Sequence, residues 1–135
     1  EGGIVASLSQ PSRLTRFFGD GQDEEIRLDP KDAGVHCLTR GVPLPGDSVP
    51  TSRLDMTASD CSNNSLAQFA AVAGRKALAG SAGPTRNSLL YAAAQCLLQL
   101  GRVDSLRAGV DETALMIDGG EPLARFERAC TSRVK

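Results

Sequence analysis

The sequence predicts an α/β fold, with two or three short strands in its first part and about four helices after residue 65. Three observations carry this. Residues 13–18 and 24–28 alternate in polarity on either side of Gly19-Asp20-Gly21-Gln22, the pattern of two strands joined by a turn. From residue 65 onward, apolar side chains recur at helical spacing in four blocks, and glycines at 80, 101 and 119–120 close three of them. The apolar content, 41%, leans on Ala, Leu and Val, with only 4% aromatic residues and no Trp. Slender helices pack from such side chains.

Taken in order, Glu1-Gly2-Gly3 reads as flexible backbone or a tight turn. Ile4 to Leu8 is apolar apart from Ser7 and suits a short strand covered on both faces. Gln10-Pro11-Ser12 breaks it. The hairpin of strands 13–18 and 24–28 follows, and Arg16, Glu25 and Arg27 bring one face or edge of it to water. Asp29-Pro30-Lys31-Asp32-Ala33-Gly34 reads as a capped single turn, with Asp29 as cap, Pro30 in first position and Gly34 as stop. Residues 35–64 hold no period. Pro43, Pro45, Pro50, Gly41 and Gly46 interrupt them, and so long an irregular stretch marks a functional loop, a segment covered by a partner, or partial disorder.

The helical half, 65–135, starts with a helix over about 65–79, carrying Leu66, Phe69, Val72, Ala73 and Ala77 on one stripe. The central helix runs from Pro84 to Gly101. Its stripe is Leu89, Ala93, Cys96, Leu97 and Leu100, Ala92–Ala94 thin its middle, and no charge appears between Asn87 and Gly101. A helix apolar nearly all round is expected to be buried. It is too short, and too interrupted by Gln95 and Gln99, for a membrane span of roughly 20 residues. Asp104 or Ser105 caps a third helix to about 118, with Leu106, Val110, Ala114 and Ile117 inward. A fourth, about 121–131, uses Leu123, Phe126 and Cys130.

With 135 residues the chain suits one domain. Three short strands make a marginal sheet, so strands and helices preceding Glu1, or a partner chain, are expected to complete it. Net charge is −1, which gives the whole chain no electrostatic case for nucleic acid. The halves differ: residues 1–60 carry 6 Lys/Arg and 10 Asp/Glu, a balance of −4, and residues 61–135 carry 9 and 6, a balance of +3. Cys37, Cys61, Cys96 and Cys130 form no CxxC pair. Cys96 and Cys130 fall on apolar helix faces, as buried free thiols do. The expectation is a reduced, cytoplasmic chain, without a signal peptide at its start and without a membrane partner.

The wording of the helical half resembles a known family. Gly83-Pro84-Thr85-Arg86-Asn87-Ser88-Leu89-Leu90-Tyr91-Ala92-Ala93-Ala94, Gly101-Arg102-Val103-Asp104-Ser105-Leu106, Gly109-Val110 and Ile117-Asp118-Gly119-Gly120-Glu121-Pro122-Leu123-Ala124-Arg125-Phe126 are similar, in order and spacing, to the C-terminal end of anthranilate phosphoribosyltransferases, members of glycosyltransferase family 3. Glu1-Gly2, Ser7-Leu8-Ser9, Pro11-Ser12, Leu28-Asp29-Pro30 and Gly34-Val35 extend the likeness to most of the chain outside about 36–62. The resemblance implies the C-terminal portion of a phosphoribosyltransferase-like α/β domain. It implies a whole protein that forms a homodimer and transfers phosphoribose from phosphoribosyl pyrophosphate with magnesium. The Gly-rich diphosphate loop of that family lies upstream of this region and has no counterpart here. An Asp-Glu magnesium pair is expected near the start, and alignment on Gly2, Ser7 and Pro11 puts Ile4 and Val5 in its place. Neither side chain offers the oxygen that magnesium requires. That departure, with the Glu1-Gly2-Gly3 opening, its Ser7-Leu8-Ser9-Gln10-Pro11 continuation and the run Ala79-Gly80-Ser81-Ala82-Gly83-Pro84, resembles the YbiB-type branch, whose members bind nucleic acid.

Candidate phosphate contacts are Arg75, Lys76, Arg86, Arg13 and Arg16, with Arg102, Arg107, Arg125, Arg128, Arg133 and Lys135 as further basic positions. Arg75 and Lys76 are the best pair, at a helix end near Gly80 and Gly83. For any one of them, ordinary surface charge or pairing with a helix C-terminus is the favoured explanation. Phe17, Phe18, Phe69, Tyr91 and Phe126 are expected in the core rather than stacked on bases. His36-Cys37 lacks an orienting third group and is not assigned catalysis. Asp23-Glu24-Glu25 and Asp111-Glu112 read as surface, and Ser81–Pro84 as an interhelical turn. No catalytic residue and no metal ligand is assigned, and no cofactor is expected in this chain.

Two functions from different classes follow. One is a non-catalytic or catalytically altered relative of the phosphoribosyltransferases that binds single-stranded nucleic acid. The other is a phosphoribosyl- or glycosyltransferase whose magnesium and phosphoribosyl pyrophosphate site is completed by residues outside the chain. A third reading is a structural module that completes a larger domain.

Overall fold

The computed structural model describes residues 7–16, 21, 23–38 and 63–132, with the side chains of 16 and 63–66 left aside. Strands β1 (Ser12–Arg16) and β2 (Glu24–Leu28) form an antiparallel ribbon, with Leu14 opposite Ile26 and Arg13 opposite Arg27. Two like charges face each other across the ribbon, an unfavourable pairing. It is relieved because Arg13 Nη1 lies 2.8 Å from Glu25 Oε1 and Arg27 Nη2 donates to Asp29 Oδ2 at 3.3 Å. The hairpin expectation holds for 24–28. The first strand begins at Ser12 and ends at Arg16, and Phe17 and Phe18 lie outside the described residues. Most of the expected 4–8 strand also lies outside them, and its described end at 7–8 is not strand.

Asp29 caps the turn that follows, its Oδ1 accepting from Lys31 N–H at 3.0 Å. Val35 N–H donates to the Pro30 carbonyl, also at 3.0 Å. Gly34 closes the turn at φ 73, a conformation that side-chain-bearing residues rarely adopt. Cys37 N–H then reaches the Leu8 carbonyl at 2.9 Å, tying the two flanks of the hairpin together. Residues 39–62, the bulk of the expected irregular loop and Cys61 with it, lie outside the described residues.

Four helices follow: α1 (Asn63–Leu78), α2 (Pro84–Gln99), α3 (Leu106–Asp118) and α4 (Glu121–Ser132). The ends are chemically specified. At the end of α2, Arg102 N–H donates to Leu97 O at 2.9 Å and Gly101 N–H to Leu98 O at 3.1 Å. With Gly101 at φ 64 this is a Schellman stop. Ser105 caps α3, its hydroxyl accepting from Ala108 N–H at 3.1 Å.

The core joins the ribbon and its turn to α2 and α3. Leu8, Leu28, Ala33 and Val35 pack with Leu90, Tyr91, Ala94, Leu106, Val110 and Ile117. Helices α2 and α3 approach closely where Gly109 meets Ala94: a Cβ built on Gly109 would stand 2.9 Å from Ala94 Cα. The α3 face matches the expected Leu106–Val110–Ala114–Ile117 stripe, with Ala114 partly buried.

The α2 face does not match. The buried residues are Leu90, Tyr91, Ala94 and Gln95, whereas the sequence pattern placed Leu89, Ala93, Cys96, Leu97 and Leu100 inward. Leu100 is 72% exposed and Leu89 36%. Among the described residues the helix is therefore covered on one side, not all round. The physical reason is that Tyr91, expected in the core and fully buried, and Gln95, a polar residue outside the apolar stripe, both face the ribbon and its turn, so the helix turns that side inward. Cys96 and Cys130 are exposed rather than buried. On α4 no residue is buried, and Phe126 is 40% exposed, so the expected Leu123–Phe126–Cys130 stripe is at most half-covered.

Candidate functional site

Three of the five expected phosphate contacts are engaged in ion pairs. Arg75, in the last turn of α1, has Nη1 3.6 Å from Glu127 Oε1. Its guanidinium carbon stands 5.1 Å from the Phe126 ring centre, a cation–π contact that pins α4 to α1. Arg86, in the first turn of α2, places Nη1 2.9 Å from Asp118 Oδ1 and donates from Nη2 to Oδ2 at 3.1 Å. That side chain is only 12% exposed. Arg13 spans the hairpin to Glu25. Arg16's side chain lies outside the described part. Lys76 is exposed.

The pairing extends further. Arg107 contacts Asp111 at 3.3 Å, and Arg125 and Arg128 both approach Glu121, at 2.8 and 3.8 Å. The Arg125 hydrogen bond, followed by its charge, holds the Glu121 carboxyl below its ordinary range. Arg133 and Lys135 lie outside the described residues.

Lys76 and Arg86 do meet at one place. Both line a shallow cavity of about 280 Å³ between the end of α1 and the start of α2, together with Phe69, Ser81, Gly83 and Thr85. Arg75 and Arg13 are not among its walls. The Ser81–Pro84 connection forms its floor, and Pro84 removes one of the helix N-terminal donors that would face an anion.

A second concavity went unrecognised in the sequence. An apolar groove of about 450 Å³ is lined by Leu78, Leu89, Ala93, Cys96, Leu97 and Met116. These α2 residues are the stripe that the helical spacing had marked. The signal was present in the sequence, but the face was assigned to the interior of this chain.

Tyr91, with no exposed surface, has its phenol pushed up to about 12. Burial is the main cause, followed by the negative charges of Asp29 and Asp32, with the nearby Gln95 amide opposing. His36 is exposed and Cys37 half-buried. Among the described residues no three His, Cys, Asp or Glu side chains come together as a metal site. Ile4 and Val5 lie outside them. No helix among those described is long and apolar enough to cross a membrane.

No family model matches the chain, and no solved structure matches it. One curated protein does: the anthranilate phosphoribosyltransferase of Trichlorobacter lovleyi, 34% identical over 116 residues, which take in 83% of this chain and 32% of the relative. The chain thus spans about a third of the length of the curated relative it matches. Two strands followed by four helices, carrying this similarity, make the chain an α/β segment similar to the C-terminal portion of an anthranilate phosphoribosyltransferase.

Proposed function

We propose that the chain is the C-terminal portion of an anthranilate phosphoribosyltransferase-like protein, with catalysis altered or lost, and that its helices complete a larger α/β domain. The observation that carries this is the outer face of α2. Leu89, Ala93, Cys96 and Leu97 line an apolar groove, and the helix has no charged residue after Arg86. A face of that composition is favoured against apolar protein rather than water. A relative about three times as long as the matched region supplies a reason for such a cover.

The test is the Cys96 thiol, which is exposed here. Alkylation of Cys96 is expected to be fast in residues 1–135 and at least tenfold slower in a protein extended to the relative's length. Equal rates in the two would remove the proposed cover. In this reading the whole protein is a homodimer in a reducing cytoplasm, and light scattering of the extended protein checks the first point.

The residues in hand do not fit magnesium. Ile4 and Val5 offer no side-chain oxygen, and the described residues bring together no carboxylate cluster. Calorimetric binding of phosphoribosyl pyrophosphate by the extended protein in magnesium, followed by turnover, would replace this reading with the transferase one.

The second reading, single-stranded nucleic acid as partner, rests on Ile4-Val5 and on the Ala79–Pro84 run rather than on a basic surface. Within it, exposed Lys76 is the leading contact, with Arg86, which is paired to Asp118, on the same cavity wall. It predicts retention on single-stranded DNA at low ionic strength, weakened by Lys76→Ala and falling steeply with salt. A protein that passes such a column without delay lacks this function.

A further inference from the structure

We propose that Tyr91 and Gln95 together bind one buried water molecule beneath the Asp29–Val35 turn. The two residues lie one helical turn apart on the inward face of α2. They are 0% and 1% exposed. Tyr91 Oη, Gln95 Oε1 and Gln95 Nε2 are each buried without a hydrogen-bond partner among the described residues. Buried polar atoms in folded proteins nearly always have one, supplied by protein or by ordered water.

The neighbourhood narrows the choice. Asp29 and Asp32 act electrostatically on the Tyr91 phenol, which places it beside the turn. Asp29 is already engaged, with Oδ1 accepting from Lys31 N–H and Oδ2 from Arg27. The turn amides of Asp32, Gly34 and Val35 all donate to turn carbonyls. No direct bond joins the two side chains, since Tyr91 Oη and both Gln95 amide atoms stand without a partner among the described residues. A water molecule has two donors and two acceptor sites, so it can serve both side chains at once. It would satisfy α2 side-chain atoms that apolar packing alone leaves stranded beside the turn.

The test uses the whole 135-residue chain. A high-resolution crystal structure is expected to show an ordered water within hydrogen-bond distance of Tyr91 Oη and of a Gln95 amide atom. In solution, the Gln95 side-chain amide protons should show cross-relaxation with water of the sign that marks long residence. Gln95→Met, which keeps the bulk and removes the amide, should lose the water while circular dichroism confirms the fold. Its folding equilibrium constant should fall about tenfold, as expected when the phenol keeps no partner. Tyr91 bonded directly to Gln95 with no water between them or beside them would overturn the assignment. So would a water at that place that persists unchanged in Gln95→Met.

Discussion

The crossing of α2 and α3 allows one substitution to be tried at two sites with opposite expected results. At Gly109 an added Cβ would stand 2.9 Å from both Cα and Cβ of Ala94 and 3.2 Å from its carbonyl oxygen. Two of those atoms are backbone, so relief requires the helices to separate. Overpacking of this kind costs about 1–3 kcal/mol. Gly→Ala in a helix interior returns about 1 kcal/mol through propensity. Gly109→Ala is therefore expected to destabilise by about 1 kcal/mol, a fall in Tm of roughly 4 °C for a domain of this size. Ala94→Gly in the same chain should rescue little, because Ala94 Cα remains in the way. At Gly74, within α1, the same added methyl meets nothing within 4 Å. There Gly→Ala should stabilise by about 0.5–1 kcal/mol. Urea unfolding followed by far-ultraviolet circular dichroism reads both. A Gly109→Ala protein as stable as the parent, with Gly74→Ala behaving as expected, would refute the tight crossing.

Tyr91 is the only tyrosine and there is no Trp, so tyrosinate absorbance reports on it alone. Its pKa of about 12 lies above the ordinary value, so the associated stability is whole below pH 10 and is lost as pH rises toward 12; the absorbance should rise with unfolding, and a titration complete by pH 10 in folded protein would contradict the burial. Glu121 is shifted the other way by Arg125, so its contribution is present above the ordinary carboxyl value and disappears as pH falls through the depressed one. The Glu121 side-chain carbon resonance in Arg125→Ala should titrate at higher pH than in the parent, and an unmoved midpoint would deny the contact. For the Arg86–Asp118 pair, Asp118→Ala should cost about 1 kcal/mol and more than Arg86→Met, because it leaves a guanidinium that is 12% exposed without its partner. The reverse order in urea unfolding would mean that the pair is effectively solvated.

The helical half was legible because its signals are local. Pro84, Ser105, Gly101 and Gly120 each fix a helix end by chemistry within a few residues, and the structure places them where the pattern did. Asp29 and Gly34 did the same for the turn. The face of α2 was not legible, because apolar residues surround that helix and the choice between its sides is made by distant partners. Tyr91 was expected inside and is, but Gln95 was passed over for its polar amide, although it is as fully buried as Tyr91 and Pro30. The partners of the basic residues were not legible for a related reason. Arg75, Arg86 and Arg13 find their carboxylates 52, 32 and 12 positions away, separations that no short motif reveals.

The placement of Leu28 against α2 and α3 has a consequence for synthesis. The ribbon leaves the ribosome before the helices, yet Leu28 is buried with Leu90 and Leu106, which emerge more than 60 residues later. At about 5–20 residues per second the ribbon waits roughly 3–12 s for its cover. The helices, joined by short glycine-ended connections, form from near neighbours and are the faster element. The charged side chains of the ribbon, Arg13, Glu25 and Arg27, give it a polar face during that interval, a safeguard against pairing with other nascent chains.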